Sequence, residues 1–271
     1  MAVDQYALTT LVKLKLYLGI TVSTDDTILE QMIDFASGWI ENYTRRRFVS
    51  RRYYEIRDTG RQPRVALDNY PVTSCRFVGT GWSPVMTVEK NSSLSFASVS
   101  INETAVVLYK VDSVGVETTS NATFASHQVT DELATHINTI SGFAATVTTN
   151  VPSQYLRKIA GRDLSTAVAQ LEAPTQSLTD YQIDLGKGTL YGLTLAGERS
   201  MLVDYTAGYD TVPASVDMAC RILCSRFYRE RLRDPSFSSE SLGGYSYSVK
   251  GRGDIDGEVA SLLNPWRVFR V

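Results

Sequence analysis

A long amphipathic segment near the N-terminus constrains the fold more than any other part of the sequence. Residues 23–48 read STDDTILEQMIDFASGWIENYTRRRF. Apolar residues recur every three or four positions and so share one face of an α-helix. They are Leu29, Ile33, Ala36, Ile40 and Tyr43, with Ile28, Phe35 and Trp39 widening the stripe. We expect a long helix, capped by Ser23 or Thr24, that buries this face in a core.

A cluster of arginines follows the helix. The stretch YTRRRFVSRRYY contains Arg45, Arg46, Arg47, Arg51 and Arg52. The first three lie at the predicted helix end, where cations oppose the negative end of the dipole and can bond the free carbonyls. The alternation after them predicts a strand with Arg51 and Arg52 on opposite faces and with Phe48 and Tyr54 turned inward. The five charges therefore need not form one basic patch.

The overall composition argues against a dedicated nucleic-acid binder. Lysine and arginine number 27 against 29 acidic residues, which gives a net charge of -2 and an isoelectric point near 5.8. With 43% hydrophobic residues, the 271-residue chain can fill the core of one or two domains. No stretch approaches the roughly 18 apolar residues of a membrane span, and no signal peptide is evident. Three cysteines, an odd number, predict unpaired thiols in a reducing compartment.

The rest of the chain alternates between helical and strand patterns. A short helix is expected from Thr9 or Thr10 to Gly19, and a second long helix is expected after Pro213. Strands are expected at RVALD, CRFVG, GTLYGL and RSMLVDYTAGYD. The serine- and threonine-rich middle suggests a meander, SVSINE, AVVLYKV and SVGVETT, then a helix capped by Thr130 and a returning strand, FAATVTT. A polar, glycine-rich loop is expected over residues 235–253, before a final short helix.

These patterns predict an α+β protein built around a helical core. The long helix near the N-terminus and the one near the C-terminus would form that core, with short antiparallel strands. Residues 88–180 would form a small inserted α/β domain, and residues 1–87 and 181–271 would form the two parts of the core. An insertion whose ends meet costs little loop entropy.

No set of residues has the spacing of a catalytic or metal site. Cys220 and Cys224 are four residues apart on a predicted helix and fit a core stripe. His127 and His136 are nine residues apart, which matches no compact ligand pair. Neither a phosphate-binding loop nor a nucleophile elbow occurs. We therefore expect neither enzymatic activity nor a cofactor or metal.

The order of these segments resembles the head-to-tail connector family (head completion or adaptor proteins) of tailed bacteriophages. The resemblance covers about Leu8 to Val78 and Leu202 to the C-terminus. In the first part it rests on Leu18, Gly19, Ile20, Asp25, Asp26, Glu41, Tyr43, Arg46, Arg47 and Phe48, followed by YPVTS. In the second part it rests on VDYTAGYDTVPASVDMAC, ESLGGYSYS and LLNPWRV. The middle segment departs from the shortest members of the family.

The resemblance implies a structural virion protein that forms a ring, usually of twelve copies, below the portal. Such a ring extends the DNA channel without binding DNA sequence-specifically and gives the tail or its completion proteins a platform. The implied partners are other copies of the chain, the portal protein and tail proteins, in the host cytoplasm during assembly and then in the virion. Candidate interface residues are Arg45, Arg46, Arg47, Arg51, Arg52, Tyr245, Tyr247, Trp266, Arg267, Phe269 and Arg270.

Two alternatives remain open from the sequence. One is a nucleic-acid-binding module that uses Arg45 to Arg52 and the basic face of the helix after Pro213. Its affinity for duplex DNA would fall steeply with salt. The other is a different virion component, such as a tail terminator or a capsid-stabilising protein, which its position in the particle would distinguish.

Overall fold

The computed structural model describes residues 3–58, 64–91, 94–193, 201–231, 239–242, 245–248 and 257–268. These residues combine α-helices with many antiparallel strands, which is compatible with the α+β class. The helices are α1 Leu11–Leu18, α2 Asp26–Thr44, α3 Thr130–Thr139, α4 Ala214–Glu230 and α5 Gly257–Leu263. The first strands are β1 Arg51–Arg57, β2 Arg64–Ala66, β3 Val72–Lys90, β4 Phe96–Ile101, β5 Ala105–Val111, β6 Glu117–Thr123 and β7 Phe143–Val147. The later strands are β8 Ile159–Asp163, β9 Ala169–Ser177, β10 Gln182–Asp184, β11 Thr189–Tyr191, β12 Met201–Ala207, β13 Ser239–Leu242 and β14 Tyr245–Ser248.

The chain divides into two compact units, each assembled from separate stretches. We call Met1–Arg51, Asn69–Thr73 and Thr206–Val271 the helical unit, and Arg52–Asp68 and Ser74–Tyr205 the sheet unit. These bounds differ from the predicted boundaries at residues 87/88 and 180/181, because β3 runs unbroken through the first of them. That residues 88–180 form a domain inserted into the connector core stays a prediction.

The core of the helical unit forms where α2 packs with α4. The predicted stripe is buried at Leu29, Ile33, Ala36 and Ile40, which cluster with Val216, Ala219, Cys220, Leu223 and Cys224 of α4 and with Val259 and Leu263 of α5. All three cysteines are free thiols, as predicted. Phe35 departs from the prediction: it is 62% exposed and meets the Phe227 ring edge-on. The sequence pattern therefore placed the helix correctly but made its buried face too wide.

The helix ends of this unit agree with the sequence only in part. Thr10 caps α1 by accepting a hydrogen bond from the amide of Lys13, and Gly19 ends it in the left-handed region, as expected. The predicted cap of α2 is wrong: Asp25 holds the N-cap position and makes no side-chain cap bond. Its carboxylate instead accepts hydrogen bonds from the Tyr228 hydroxyl and, at 3.0 Å, from Arg231. Tyr228 of α4 and Arg231 just after it therefore occupy the carboxylate that could otherwise have capped α2.

The sheet unit contains most of a five-stranded sheet and two smaller sheets. The larger sheet has the order β1-β12-β3-β7, with β9 also paired to β3, and a second has the order β6-β5-β4-β8. Its β4-β5-β6 part matches the predicted meander in its first two strands, but the third strand lies later than SVGVETT and overlaps it only at residues 117–119. The predicted strand CRFVG is only a part of the 19-residue β3, and the returning strand β7 joins β3 instead of the meander. The predicted strand at GTLYGL contains β11, which pairs with β2 and β10.

Two further predictions require correction. Thr130 is not the cap of α3 but its first residue, following Val129. Its hydroxyl accepts a hydrogen bond from the amide of Val151 and lies 3.2 Å from Oδ1 of Asn150. The expected loop over residues 235–253 is wrong at Ser239–Leu242 and Tyr245–Ser248, where β13 and β14 pair antiparallel; the rest of that range lies outside the described residues. The serines and glycines of this range predicted a loop, although four-residue strands form within it.

Candidate interface residues

Arg47 and Arg51 both bind a single buried carboxylate in the helical unit. The side chain of Glu41, near the end of α2, is only 5% exposed. It accepts a hydrogen bond from Arg51 Nη2 at 2.6 Å and another from Arg47 Nη1. The Arg51 guanidinium also lies 4.0 Å from the centre of the Tyr6 ring. Two guanidinium groups share one carboxylate, so these three side chains together carry a positive charge. Arg47 is the more exposed of the two arginines.

Arg46 lies among aromatic rings of the same unit. Its Nη2 donates a hydrogen bond to the Tyr70 carbonyl at 2.9 Å, and its guanidinium lies 4.3 Å from the centre of the Tyr70 ring. The Trp266 ring, also on the candidate list, is 5.7 Å away. Trp266 in turn donates from Nε1 to Ser215 Oγ at 2.9 Å. Both candidates therefore have structural partners within their own chain.

The end of α2 is closed by backbone groups rather than by arginine side chains. Arg45 takes a left-handed conformation with φ of 55°, and its amide bonds the Glu41 carbonyl. The amide of Val268 bonds the Thr44 carbonyl at 3.0 Å. The expected bonds from arginine side chains to these carbonyls are therefore absent from the hydrogen bonds of the described residues. The exposed Arg45 side chain has no partner within that part of the chain.

Arg267 belongs to the same C-terminal stretch. Its guanidinium lies 5.0 Å from the centre of the Tyr43 ring, and the Tyr43 hydroxyl donates to Asn264 Oδ1 at 3.0 Å. Arg267 itself is exposed. The stretch therefore lies along the end of α2 while presenting one cation to solvent.

Arg52 binds a different carboxylate, within the sheet unit. Its Nε and Nη2 donate to Asp204 at 2.8 and 2.5 Å, and the Asp204 side chain is fully buried. The Tyr155 hydroxyl donates to the same carboxylate at 3.0 Å. Burial, reinforced by the Asp204 charge, raises the pKa of Tyr155. Sequence reasoning missed Asp204, although an aspartate within the apolar strand MLVDYTA signals a buried partner.

Tyr245 and Tyr247 belong to β14, whereas Phe269 and Arg270 lie outside the described residues. Of the eleven candidates, Arg45, Arg47 and Arg267 present exposed guanidinium groups on the helical unit.

The helical unit also exposes apolar side chains that sequence reasoning missed. On α1, Val12 is 68% and Leu16 is 77% exposed. Residues four apart on a helix are neighbours, so these two share one face. Leu14 is buried on the other side of α1. The pattern LVKLKLYL carries apolar residues on both sides of the helix, which is the signal that could have revealed this exposed pair.

Within the described ranges, no three His, Cys, Asp or Glu residues are grouped as metal ligands would be. His127 and His136, distant in sequence, stack with ring centres 4.3 Å apart. No helix in those ranges has both the length and the apolar character needed to cross a bilayer.

Comparisons with known proteins confirm the resemblance over the N-terminal part. Residues 8–75 match the sequence model of a family described as phage gp6-like head-tail connector protein. That family is one of structural proteins and not of enzymes, which agrees with the expectation from the sequence. The matched range includes α1, α2 and all five clustered arginines. It also includes Glu41, which binds Arg47 and Arg51, and Tyr70, which binds Arg46. A search of curated protein sequences gave no match.

Three solved structures resemble the whole chain at low similarity. One is the neck of an empty GTA particle computed with C6 symmetry, at 15% identity and a TM-score of 0.44. Another is the neck of a native GTA particle computed with C12 symmetry, at 17% identity and a TM-score of 0.41. The third is the virion of a native gene transfer agent particle, at 16% identity and a TM-score of 0.34. Each match covers 100% of this chain and 94% of the other.

Proposed function

We propose that this chain is a structural virion protein that forms a ring, of about twelve copies, between the portal and the tail of a tailed phage. The observation that carries the proposal is the match of residues 8–75 to the connector family. The ring would extend the DNA channel and give the tail a docking platform, after assembly in the host cytoplasm. The subunit number comes from the family resemblance.

The surface of the helical unit supports this role. A closed ring needs two different faces on each subunit that fit one another. Exposed apolar side chains and exposed arginines are both typical of such contacts. The exposed apolar side chains are Val12 and Leu16 on α1. The exposed arginines are Arg45, Arg47 and Arg267. We assign α1 to the subunit contact and the three exposed arginines to contacts with a neighbouring copy or the portal.

The arginine pairing makes the nucleic-acid alternative weaker. Binding DNA requires cations that are free to neutralise phosphates. Arg47 and Arg51 share the Glu41 carboxylate, and Arg52 binds Asp204. Three of the five clustered arginines thus already have carboxylate partners, which suits a channel wall that lets DNA pass.

Charge substitutions on α1 test the ring contact. Leu16→Asp places a carboxylate on the exposed apolar face, so it should prevent ring formation or portal binding without lowering the melting temperature. Val114→Asp is the matched control, because Val114 is 81% exposed in the sheet unit. Sedimentation velocity with purified portal would show the difference. Normal assembly of the Leu16→Asp variant would exclude α1 from the contact.

A further inference from the structure

The sheet unit contains an open cavity of about 400 Å³ that the proposed ring does not use. Three segments form its walls: β1, the connection between β6 and α3, and the residues around the short 3-10 helix Ser153–Tyr155. The side chains that matter are Arg52 and Tyr54 from the first, Phe124 and Gln128 from the second, and Gln154 from the third.

The guanidinium of Arg52 is fixed in the cavity wall with one nitrogen left over. Its Nε and Nη2 are held by Asp204, and it lies 4.9 Å from the centre of the Tyr54 ring. The side chain is still 46% exposed, and Nη1 makes no hydrogen bond to any described residue. The two N–H groups of Nη1 belong to a side chain that Asp204 already holds in place. Little side-chain entropy is therefore lost when they bind an acceptor.

The charges around the cavity favour an anionic ligand. Asp204 neutralises Arg52, but Lys158 Nζ lies 5.0 Å from the centre of the Phe124 ring and is buried without a hydrogen-bond partner among the described residues. Burial lowers the pKa of Lys158, against the opposing charge of Glu103. Arg76 adds a third cation whose charge acts on Tyr54. Among the described residues that line the cavity, Arg52 is the charged one, and no acidic side chain lines it.

The uncharged lining groups indicate the kind of molecule that would carry the anionic group. The rings of Tyr54 and Phe124 offer apolar surface for a neighbouring side chain. The amides of Gln128 and Gln154 can each donate and accept, as a peptide group requires. The one unbonded guanidinium nitrogen, Nη1 of Arg52, can bind one carboxylate. A nucleic-acid backbone carries many phosphates and requires several cations along its length.

We propose that this cavity binds an acidic peptide segment of a partner protein. Arg52 Nη1 would receive a glutamate or aspartate carboxylate, and the Tyr54 and Phe124 rings would pack on an apolar residue beside it. This interaction requires no ring, so its failure would leave the proposed function intact.

Calorimetric titration of the intact protein with small probes tests the site. N-acetyl-Phe-Glu-amide should bind at least tenfold more tightly than N-acetyl-Phe-Gln-amide, because only the former carries the carboxylate. Equal binding of the two would overturn the proposal. Tighter binding of octathymidylate would assign the cavity to nucleic acid instead, and equally tight binding of inorganic phosphate would reduce it to a simple anion site; either result overturns the peptide assignment.

Two variants separate the site from the fold. Arg52→Gln should abolish binding, but it leaves Asp204 without its cation and so endangers folding. Ala125→Trp avoids this, because Ala125 is an exposed residue of the cavity lining and its replacement fills the space with Arg52 unchanged. Ala160→Trp, at an exposed position of β8, is the matched control. Binding that survives Ala125→Trp at wild-type strength would contradict the proposal.

Discussion

Glu41 is the side chain on which the arginine cluster depends most. Its carboxylate lies at the buried side of α2 and holds Arg47 and Arg51, which differ in exposure: 47% and 17%. Removing one member of a buried ion pair lowers the free energy of unfolding more than removing a member of an exposed pair. The reason is that water does not solvate the charge that remains. The three substitutions to alanine should therefore have unequal effects.

Glu41→Ala should lower the free energy of unfolding by about 3 kcal/mol, because two cations lose their carboxylate. Arg51→Ala should cost about 1.5 kcal/mol, as one charge-assisted bond is lost. Arg47→Ala should cost below about 1 kcal/mol because its side chain is half exposed. Equilibrium urea unfolding would measure all three. Equal losses for Arg47→Ala and Arg51→Ala would contradict this ordering.

Local sequence identified the arginines but not the groups that bind them. Phe48 is buried as expected, although it lies before β1, whereas Tyr54 is only partly buried and lines the open cavity. Arg51 and Arg52 bind two different carboxylates, those of Glu41 and Asp204. The partner of Arg52, however, is 152 residues away. A sequence periodicity cannot reveal a pairing between residues so far apart in the chain. Residues that the sequence suggested for an interface therefore turned out to have partners within their own chain.

The helices were predictable because their signals are local. The stripe of α2, the Thr10 cap and the Gly19 stop each depend on residues within a few turns. The start of α2 was not predictable, because Asp25 is bound by Tyr228 and Arg231 of the α4 region. The same limit applies to β3: Gly79, Gly81 and Pro84 look like interruptions, yet β9 pairs along the strand and accommodates a register shift there.

Asp25 gives the contact between α2 and the α4 region a pH dependence. The hydrogen bonds from Tyr228 and Arg231 lower the pKa of Asp25 below its ordinary value. A carboxylate with a lowered pKa stabilises the fold above the ordinary value of about 3.9, and this stabilisation is lost as the pH falls through the folded value.

Asp25→Asn should therefore melt at a lower temperature than the wild type at neutral pH, and the difference should narrow below about pH 4. Calorimetry between pH 3 and pH 7 would measure it. Tyr228→Phe removes the first donor and should reduce the same pH-dependent part. A difference that stays constant down to pH 3 would show that Asp25 does not titrate as described.

The whole molecule is best explained as a subunit of a larger assembly. Its net charge of -2 and its paired arginines disfavour DNA as the main partner. Its exposed apolar pair on α1 has no covering group within the described chain. The connector-like residues 8–75 contain both α1 and the Glu41 cluster. The proposed ring subunit gives the exposed pair on α1 a covering partner and agrees with the connector match.

Native mass spectrometry with and without purified portal rings tests this central claim most directly. We predict a ring of about twelve 30.0 kDa subunits, formed either by the protein alone or on the portal. Leu16→Asp should abolish it and Val114→Asp should not. A protein that stays monomeric with portal present, and that never joins the portal, would contradict the account.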